Sequence, residues 1–516
     1  MATTTALTAN MTTAQVATVI QQYQASLTTE EVTPLSTKQT TLNNRLTALS
    51  TMQSTLSALS TAADALMGIS STGTLPFSTY AVTSSNPSVA TATASSAVSM
   101  GTHTLSVSRL AKSDTVLSDQ MSNADTTISS DELTSDEVTA GSGTRQIALS
   151  VNGSTVATVS VTINANDTNS TVLQNIRDAV NASADASNHV SASVVTNPNG
   201  TSRLAFVSKA TGSSNSISWS NVTGGANGNA TLLDQIGLTG AITSGRTAST
   251  GTTAGYVYGG VSTSLDAAFN LDGIDMTSAS NTVNNALSGV SLQLNATQGL
   301  NDAPVVLTAS IDTNAISSNI QSFITAYNNA INYIKKTTSI DTTTTPPTPQ
   351  IFSNDSTFTS LKYTLQSLAY SPVAGIDSRY NTLFKAGITL NADGTMAISD
   401  QSALNSALNT NPTAVAQLFT AASSPTSSGG VAVQIKSIIK SMVSSSGIIT
   451  TTQNGINSQL STLKTQISTA TARVAKQASD YQTQYTTLLN TYNQLLQQQS
   501  SITSITNYIL STTMVG

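Results

Sequence analysis

The sequence predicts an α+β multidomain chain: a helical coiled-coil stalk drawn from both chain ends, with an inserted β-rich head of two small domains. Three observations carry this prediction. From Ile456 to Leu495 apolar residues recur in steps of three and four, a shorter run with the same spacing lies between Leu35 and Leu66, and from Phe77 to Ile311 the period changes to two. A narrow three-four stripe is a coiled-coil seam, whereas alternation marks half-buried strands. With helical patterns on both sides of the strands, the two seams pair only if the chain ends meet.

Residues 1–34 read as an N-terminal leg segment, partly disordered, in which a helix over about Thr12 to Leu27 places Val16, Val19, Ile20 and Tyr23 on one face. Pro34 suits the first turn of the next helix. That helix, in the stalk segment 35–76, carries the seam Leu35, Leu42, Leu46, Leu49, Leu56, Leu59 and Leu66 and ends at Gly68. Thr and Ser crowd its outer face and weaken its intrinsic propensity, so packing must supply the rest.

The alternating segments Val89 to Ala94, Thr104 to Ser108 and Ile147 to Val151 are strand candidates, divided here into an inner head domain (77–115 and 262–311) and an outer one (116–261). A helix over roughly Thr171 to Ala184 interrupts the strands, and Gly224 to Gly260 reads as loop with short strands. The helical stalk resumes over 312–500. Asp312 is the expected N-cap, and Ile316, Ile320, Phe323, Tyr327, Ile331 and Ile334 share a face. A loop over Thr342 to Pro349 precedes a short helix around Phe358, Leu361, Leu365 and Leu368. Asp393-Gly394 sets a hairpin over 388–398, and Asn411-Pro412 opens another helix. The terminal seam is Ile456, Leu460, Leu463, Ile467, Val474, Tyr481, Tyr485, Leu488, Tyr492 and Leu495, with one extra four-residue step from Val474 to Ala478 that reads as a stutter. A C-terminal leg, 501–516, follows, with Ile502, Ile505 and Ile509 as its apolar residues.

Composition narrows the function classes. Charged residues make up 9% of the 516, against about 25% in ordinary proteins, and the net charge of -6 offers no basic surface for nucleic acid. The chain contains no cysteine, so no disulfide or thiolate chemistry is available. No segment approaches the roughly 20 apolar residues of a membrane span, and Met1 to Thr13 lacks the basic flank and apolar run of a signal peptide.

No catalytic, cofactor or metal site is expected. The acidic pairs Asp131-Glu132 and Asp136-Glu137 read as solvated surface. Ser461 and Lys464 have the Ser-x-x-Lys spacing of some acyl enzymes but flank the seam residue Leu463. Gly224, Gly225 and Gly228 lack the Lys-Ser/Thr of a phosphate cradle. His103 and His189, the only histidines, have no second ligand at metal spacing. The Asn-x-Ser/Thr sequences at Asn152, Asn169 and Asn295 carry little information in so Ser- and Thr-rich a chain. Trp219, the only tryptophan, is expected to fill a small β core.

Three blocks, taken in order, resemble the bacterial flagellar filament cap family, also called hook-associated protein 2. The first runs from Phe77-Ser-Thr-Tyr through Gly101-Thr-His-Thr-Leu-Ser-Val to Leu110-Ala111; the second is Phe269-Asn-Leu-Asp-Gly-Ile-Asp-Met with Ser280 to Leu294. The third joins Asp312 to Lys336, Gly387 to Ile398, Asn411-Pro412 and Leu418-Phe419. Val161 to Ile217, with Asn181, Arg203-Leu204 and Gly212, is similar to a repeat inserted in flagellins and hook-associated proteins. The resemblance implies a secreted, non-enzymatic, homo-oligomeric ring or plate at the distal filament tip, exported by the flagellar type III route. It implies flagellin as partner, with hook-associated junction proteins and an export chaperone at the C-terminus as further partners. It also implies that the leg residues Val16, Val19, Ile20, Tyr23, Ile502, Ile505 and Ile509 touch the filament. A flagellin-like or junction protein, or a surface adhesin acting through the head, are the alternatives. The terminal coil departs from the family in its scarcity of flanking charge, which leaves partner register and subunit number open.

Overall fold

A computed structural model describes residues 13–69, 75–95, 98–222, 231–239, 245–424 and 429–513. It divides into two compact units, a helical one built from 1–77 and 313–516 and a β-rich one, 78–312, inserted between them in the chain.

In the helical unit, Thr13–Leu27, a π-helical turn Thr28–Val32 and Thr33–Leu66 run on without a break. The expected boundary at Pro34 is therefore absent. Pro34 has no N–H to give to the turn before it, and the backbone compensates by widening: the Thr33 N–H donates to the Thr28 carbonyl, five residues back. The expected leg segment 1–34 is helical from Thr13 onward, and residues 1–12 lie outside the described residues. Along this helix Thr37, Thr40, Thr41, Thr51, Thr55 and Thr61 each donate their hydroxyl to a carbonyl four residues back. Hydroxyls that could compete with the helix are thus turned onto its own backbone.

Helix Thr313–Thr338 buries Ile316, Ile320, Phe323, Tyr327, Ile331 and Ile334, and packs on Thr33–Leu66. The Tyr333 hydroxyl donates to the Ala48 carbonyl at 3.0 Å. Asn328 pins the hairpin Ile388–Leu390/Met396–Ile398 to this helix: its amide donates to the Met396 carbonyl at 2.8 Å and accepts from the Met396 N–H at 2.7 Å. Replacing Asn328 with Ala leaves both Met396 groups without these partners and is expected to cost about 1–3 kcal/mol. Urea denaturation followed by circular dichroism measures it. Phe419, from helix Pro412–Thr420, has its ring 5.8 Å from that of Phe77 and 6.1 Å from that of Phe323. Asn411 caps that helix through the Ala414 N–H. Two helices were not anticipated, Gln401–Thr410, capped by Asp400, and Val431–Val443.

The β-rich unit has two cores. The inner one lies between a five-stranded antiparallel sheet and a three-stranded one. The first is ordered Tyr80–Ser84, Val305–Ile311, Gly101–Arg109, Ala267–Leu271, Ile274–Ser278, the second Thr282–Leu287, Val290–Leu294, Ala90–Ala94. Leu105, Val107, Phe269, Leu292 and Leu307 fill it. In the outer part, strands Ile217–Asn221, Ser142–Val151 and Ser154–Asn164 form one sheet, and Thr201–Thr211 centres another that includes Ser113–Leu117 and Val190–Thr196. Ser113–Leu117 therefore belongs to the outer sheet, which begins three residues earlier in the chain than the expected start at 116. Helix Asn169–Ala182 buries Val172, Leu173, Ile176 and Val180, and Trp219 sits in the same core with its ring 4.5 Å from that of Phe206.

Candidate functional site

The terminal helix, Ile448–Thr513, is the element with most free surface, and at about 1.5 Å per residue it extends close to 100 Å. Its first half is paired within the chain. Gln453 donates to Ser50 at 3.3 Å, Arg473 pairs with Glu31 at 3.3 Å, and the Tyr481 ring stands 4.5 Å from that of Tyr23. As one helix advances the other retreats, so the pair is antiparallel. Along it Leu49 is buried and Leu35, Leu42 and Leu46 are half-buried on the N-terminal side. The rest of the expected N-terminal seam, Leu56, Leu59 and Leu66, lies past the start of the terminal helix and is buried where Thr33–Leu66 packs on Thr313–Thr338 and Val431–Val443, with Asp64 paired to Lys436. On the terminal helix Ile456, Leu463, Val474 and Tyr485 are buried, while Leu460, Ile467 and Tyr481 are half-buried.

The stutter between Val474 and Ala478 falls where the terminal helix packs on the π-helical turn Thr28–Val32, beside the Arg473–Glu31 pair. The two departures from regular helical spacing, a π turn on one helix and a stutter that locally unwinds the seam on the other, thus lie opposite each other. Arg473 is exposed, so Glu31→Gln is expected to change stability by less than about 1 kcal/mol; thermal unfolding at two salt concentrations checks this.

Beyond Tyr485 the arrangement changes. Leu488, Tyr492 and Leu495, which continue the seam spacing, are 49%, 39% and 57% exposed and are not brought together with the N-terminal seam. Ile502, Ile505, Ile509 and Leu510 continue this side of the helix, and Tyr508 lies on the opposite side, all exposed. The leg residues split into two sets: Ile20 is buried and Val16, Val19 and Tyr23 are half-buried in helix Thr13–Leu27, which packs on the terminal helix, whereas Ile502, Ile505 and Ile509 face outward. Thr471, Thr483, Thr487 and Thr491 bond carbonyls four residues back, as in the N-terminal helix. Beyond Asp480 the helix carries no charged residue, and exposed apolar residues line its far end.

Elsewhere the residues weighed for chemistry hold structure. His103 Nδ1 lies 2.7 Å from an Asp272 carboxylate oxygen, a contact that holds the Asp272 carboxyl below its ordinary range and fixes the turn at Leu271–Gly273. His189 ends the helix Ala184–His189. Ser461 and Lys464 are exposed on either side of buried Leu463. Asn169 is buried and accepts from the Ile128 N–H, Asn152 occupies a positive-φ turn position, and Asn295 donates to the Pro87 carbonyl. Gly224, Gly225 and Gly228 lie outside the described residues. Among the described residues no group of three His, Cys, Asp or Glu could hold a metal ion, and no helix is long and apolar enough to cross a membrane. One expectation is corrected: of the acidic pairs, Glu132 is fully buried, because Arg145 on the strand Ser142–Val151 reaches its carboxylate at 3.1 Å. No local sequence signal places those two residues together.

Comparison with known proteins follows the same division. Residues 12–114 match the family described as flagellar hook-associated protein 2 N-terminus, and 264–497 match flagellar hook-associated protein 2 C-terminus. The stretch between them, most of the outer β part, is outside both matches. The B-type flagellar hook-associated protein 2 of Pseudomonas aeruginosa is 26% identical over 472 residues, 91% of this chain and 90% of that protein. The flagellar hook-associated protein 2 of Escherichia coli is 27% identical over 495 residues, 91% and 92% of the two. The crystal structure of the flagellar cap protein FliD D1-D2-D3 domains from Escherichia coli superposes with a TM-score of 0.52 at 24% identity, covering 80% of this chain and 99% of that one, a likeness of fold.

Proposed function

The chain belongs to the flagellar hook-associated protein 2 family, and on that premise we propose that it caps the distal tip of the flagellar filament, promoting polymerisation of exported flagellin and preventing its loss to the medium. The observation that supports this reading is the exposed apolar stripe of Leu488, Tyr492, Leu495, Ile502 and Ile505 on the part of the helix that carries no charge. Such a stripe, contiguous with a seam that is closed further up, is a surface made to be covered by another helix. Ile502, Ile505 and Ile509 are the residues assigned to contact with the uppermost flagellin subunits. Val16, Val19, Ile20 and Tyr23 support them by bracing the terminal helix.

The mechanism is steric and needs no catalysis. Copies of the chain assemble as a ring or plate at the tip, their terminal helices engage the filament, and each flagellin that folds beneath displaces one contact and lets the ring advance. With few flanking charges to select register, the end contacts rest on apolar packing that can break and re-form. The protein reaches the tip by the flagellar export route, with a chaperone shielding the C-terminal stripe beforehand and the junction proteins as first platform. Immunogold labelling of intact filaments is expected to mark the distal tip alone. Label distributed along the shaft would contradict the proposal and favour a flagellin-like role.

A further inference from the structure

Outside the stalk, one polar cluster has no part in capping. Helices Thr127–Glu132 and Ser135–Ala140 lie over the outer β core, with Ile128 and Leu133 inserted into it. Between them and the strand Ser142–Val151, a single guanidinium serves two carboxylates. Arg145 donates through two nitrogens to Glu137 at 3.0 and 2.9 Å, and through Nε to one Glu132 oxygen at 3.1 Å. It also bonds the main-chain carbonyl of Glu132. The other Glu132 oxygen is buried with no hydrogen-bond partner. A Cβ at Gly143 would lie 2.6 Å from a Glu137 oxygen and 2.7 Å from a Leu133 methyl, so the strand lies close against the Glu137 side of this cluster.

We propose that Glu132, Arg145 and Glu137 form a proton-operated latch that holds the Thr127–Ala140 segment on the outer core while Glu132 carries a proton and loosens it when Glu132 ionises. One guanidinium neutralises one carboxylate; the bidentate, half-exposed Glu137 takes that role. A second ionised carboxylate in the same buried place has no cation of its own, and a proton supplies both the missing neutrality and a donor on the acid group. The neighbouring charges agree in sign. Asp131 on the same helix and Asp234 on Leu232–Gln235 both raise the cost of ionising Glu132. Strand Ser154–Asn164 carries no titratable group, and helix Asn169–Ala182 meets the segment through neutral Asn169.

Burial pushes the Glu132 carboxyl up to about 7 against the pull of Arg145, whereas the Arg145 hydrogen bonds hold Glu137 down at about 2. For Glu132 the closed state binds the proton more tightly than the open one. Its contribution to closure is therefore complete below the ordinary value of 4.5 and is lost as pH rises toward about 7. Glu137 acts oppositely, but its loss falls below 4.5, outside that window.

Hydrogen exchange of the full chain, corrected for intrinsic rates, tests the latch at about pH 5.5, 6.5 and 7.5. The opening of 127–140 should rise by about tenfold per pH unit below pH 7 and level off above it. In Glu132→Gln that rise should vanish. Wild-type protection independent of pH, or a rise that persists in Glu132→Gln, would overturn the proposal. If Glu132→Gln does not fold, wild-type thermal scans on Trp219 fluorescence decide, since this sole tryptophan reports the same core: the midpoint should fall from pH 5.5 to 7.5, and a constant midpoint overturns the latch.

Discussion

A chain ending at Thr487 is expected to fold with both units intact and to fail completely in filament assembly. Of the apolar residues removed, Leu488, Tyr492, Leu495, Ile502, Ile505, Ile509 and Leu510 are exposed and Leu489 is half-buried, so their loss takes little buried area from the helical unit. The last buried seam position, Tyr485, whose ring lies 5.9 Å from that of Tyr481, is retained. Thermal unfolding should therefore show transitions within a few degrees of the full chain. Cells producing only the truncated form should shed flagellin. Wild-type filaments on such cells would show that the stripe is dispensable, and collapse of the helical transition would show that it serves the fold instead.

Phe419→Ala should have the largest effect on stability. The Phe419 side chain is wholly buried and joins the ring of Phe77, where the N-terminal segment leaves the helical unit, to Phe323 on Thr313–Thr338. Removing a buried phenyl ring from such a three-way contact costs about 3–5 kcal/mol, combining lost transfer energy with the cavity that remains. Urea denaturation followed by helical circular dichroism should record that loss, while Trp219 fluorescence, which reports the β-rich unit, should keep its midpoint. A loss below about 1 kcal/mol would mean that the surrounding helices collapse into the space.

The seams were legible because a three-four repeat is a local property of the chain, and the hairpin and the Asn411-Pro412 cap because turn chemistry is local as well. What could not be read was register. The stutter at Val474–Ala478 is visible in the sequence, but its counterpart, the π-helical turn Thr28–Val32, is not, since Pro34 reads equally well as a helix start. Nor does the repeat announce where pairing stops: Leu488, Tyr492 and Leu495 have seam spacing yet are exposed. Helix Val431–Val443 was legible in principle, with Val431, Ile435, Ile439 and Met442 at helical spacing. Glu132 was not, because its burial depends on an arginine brought over by a strand thirteen residues on.

Capping itself is tested most directly by deleting the gene and measuring where flagellin goes. The deletion strain should retain hooks, bear no filaments and release unpolymerised flagellin into the medium, and the full-length chain supplied in trans should restore filaments. Filaments of normal length on the deletion strain, with no flagellin in the medium, would contradict a capping role.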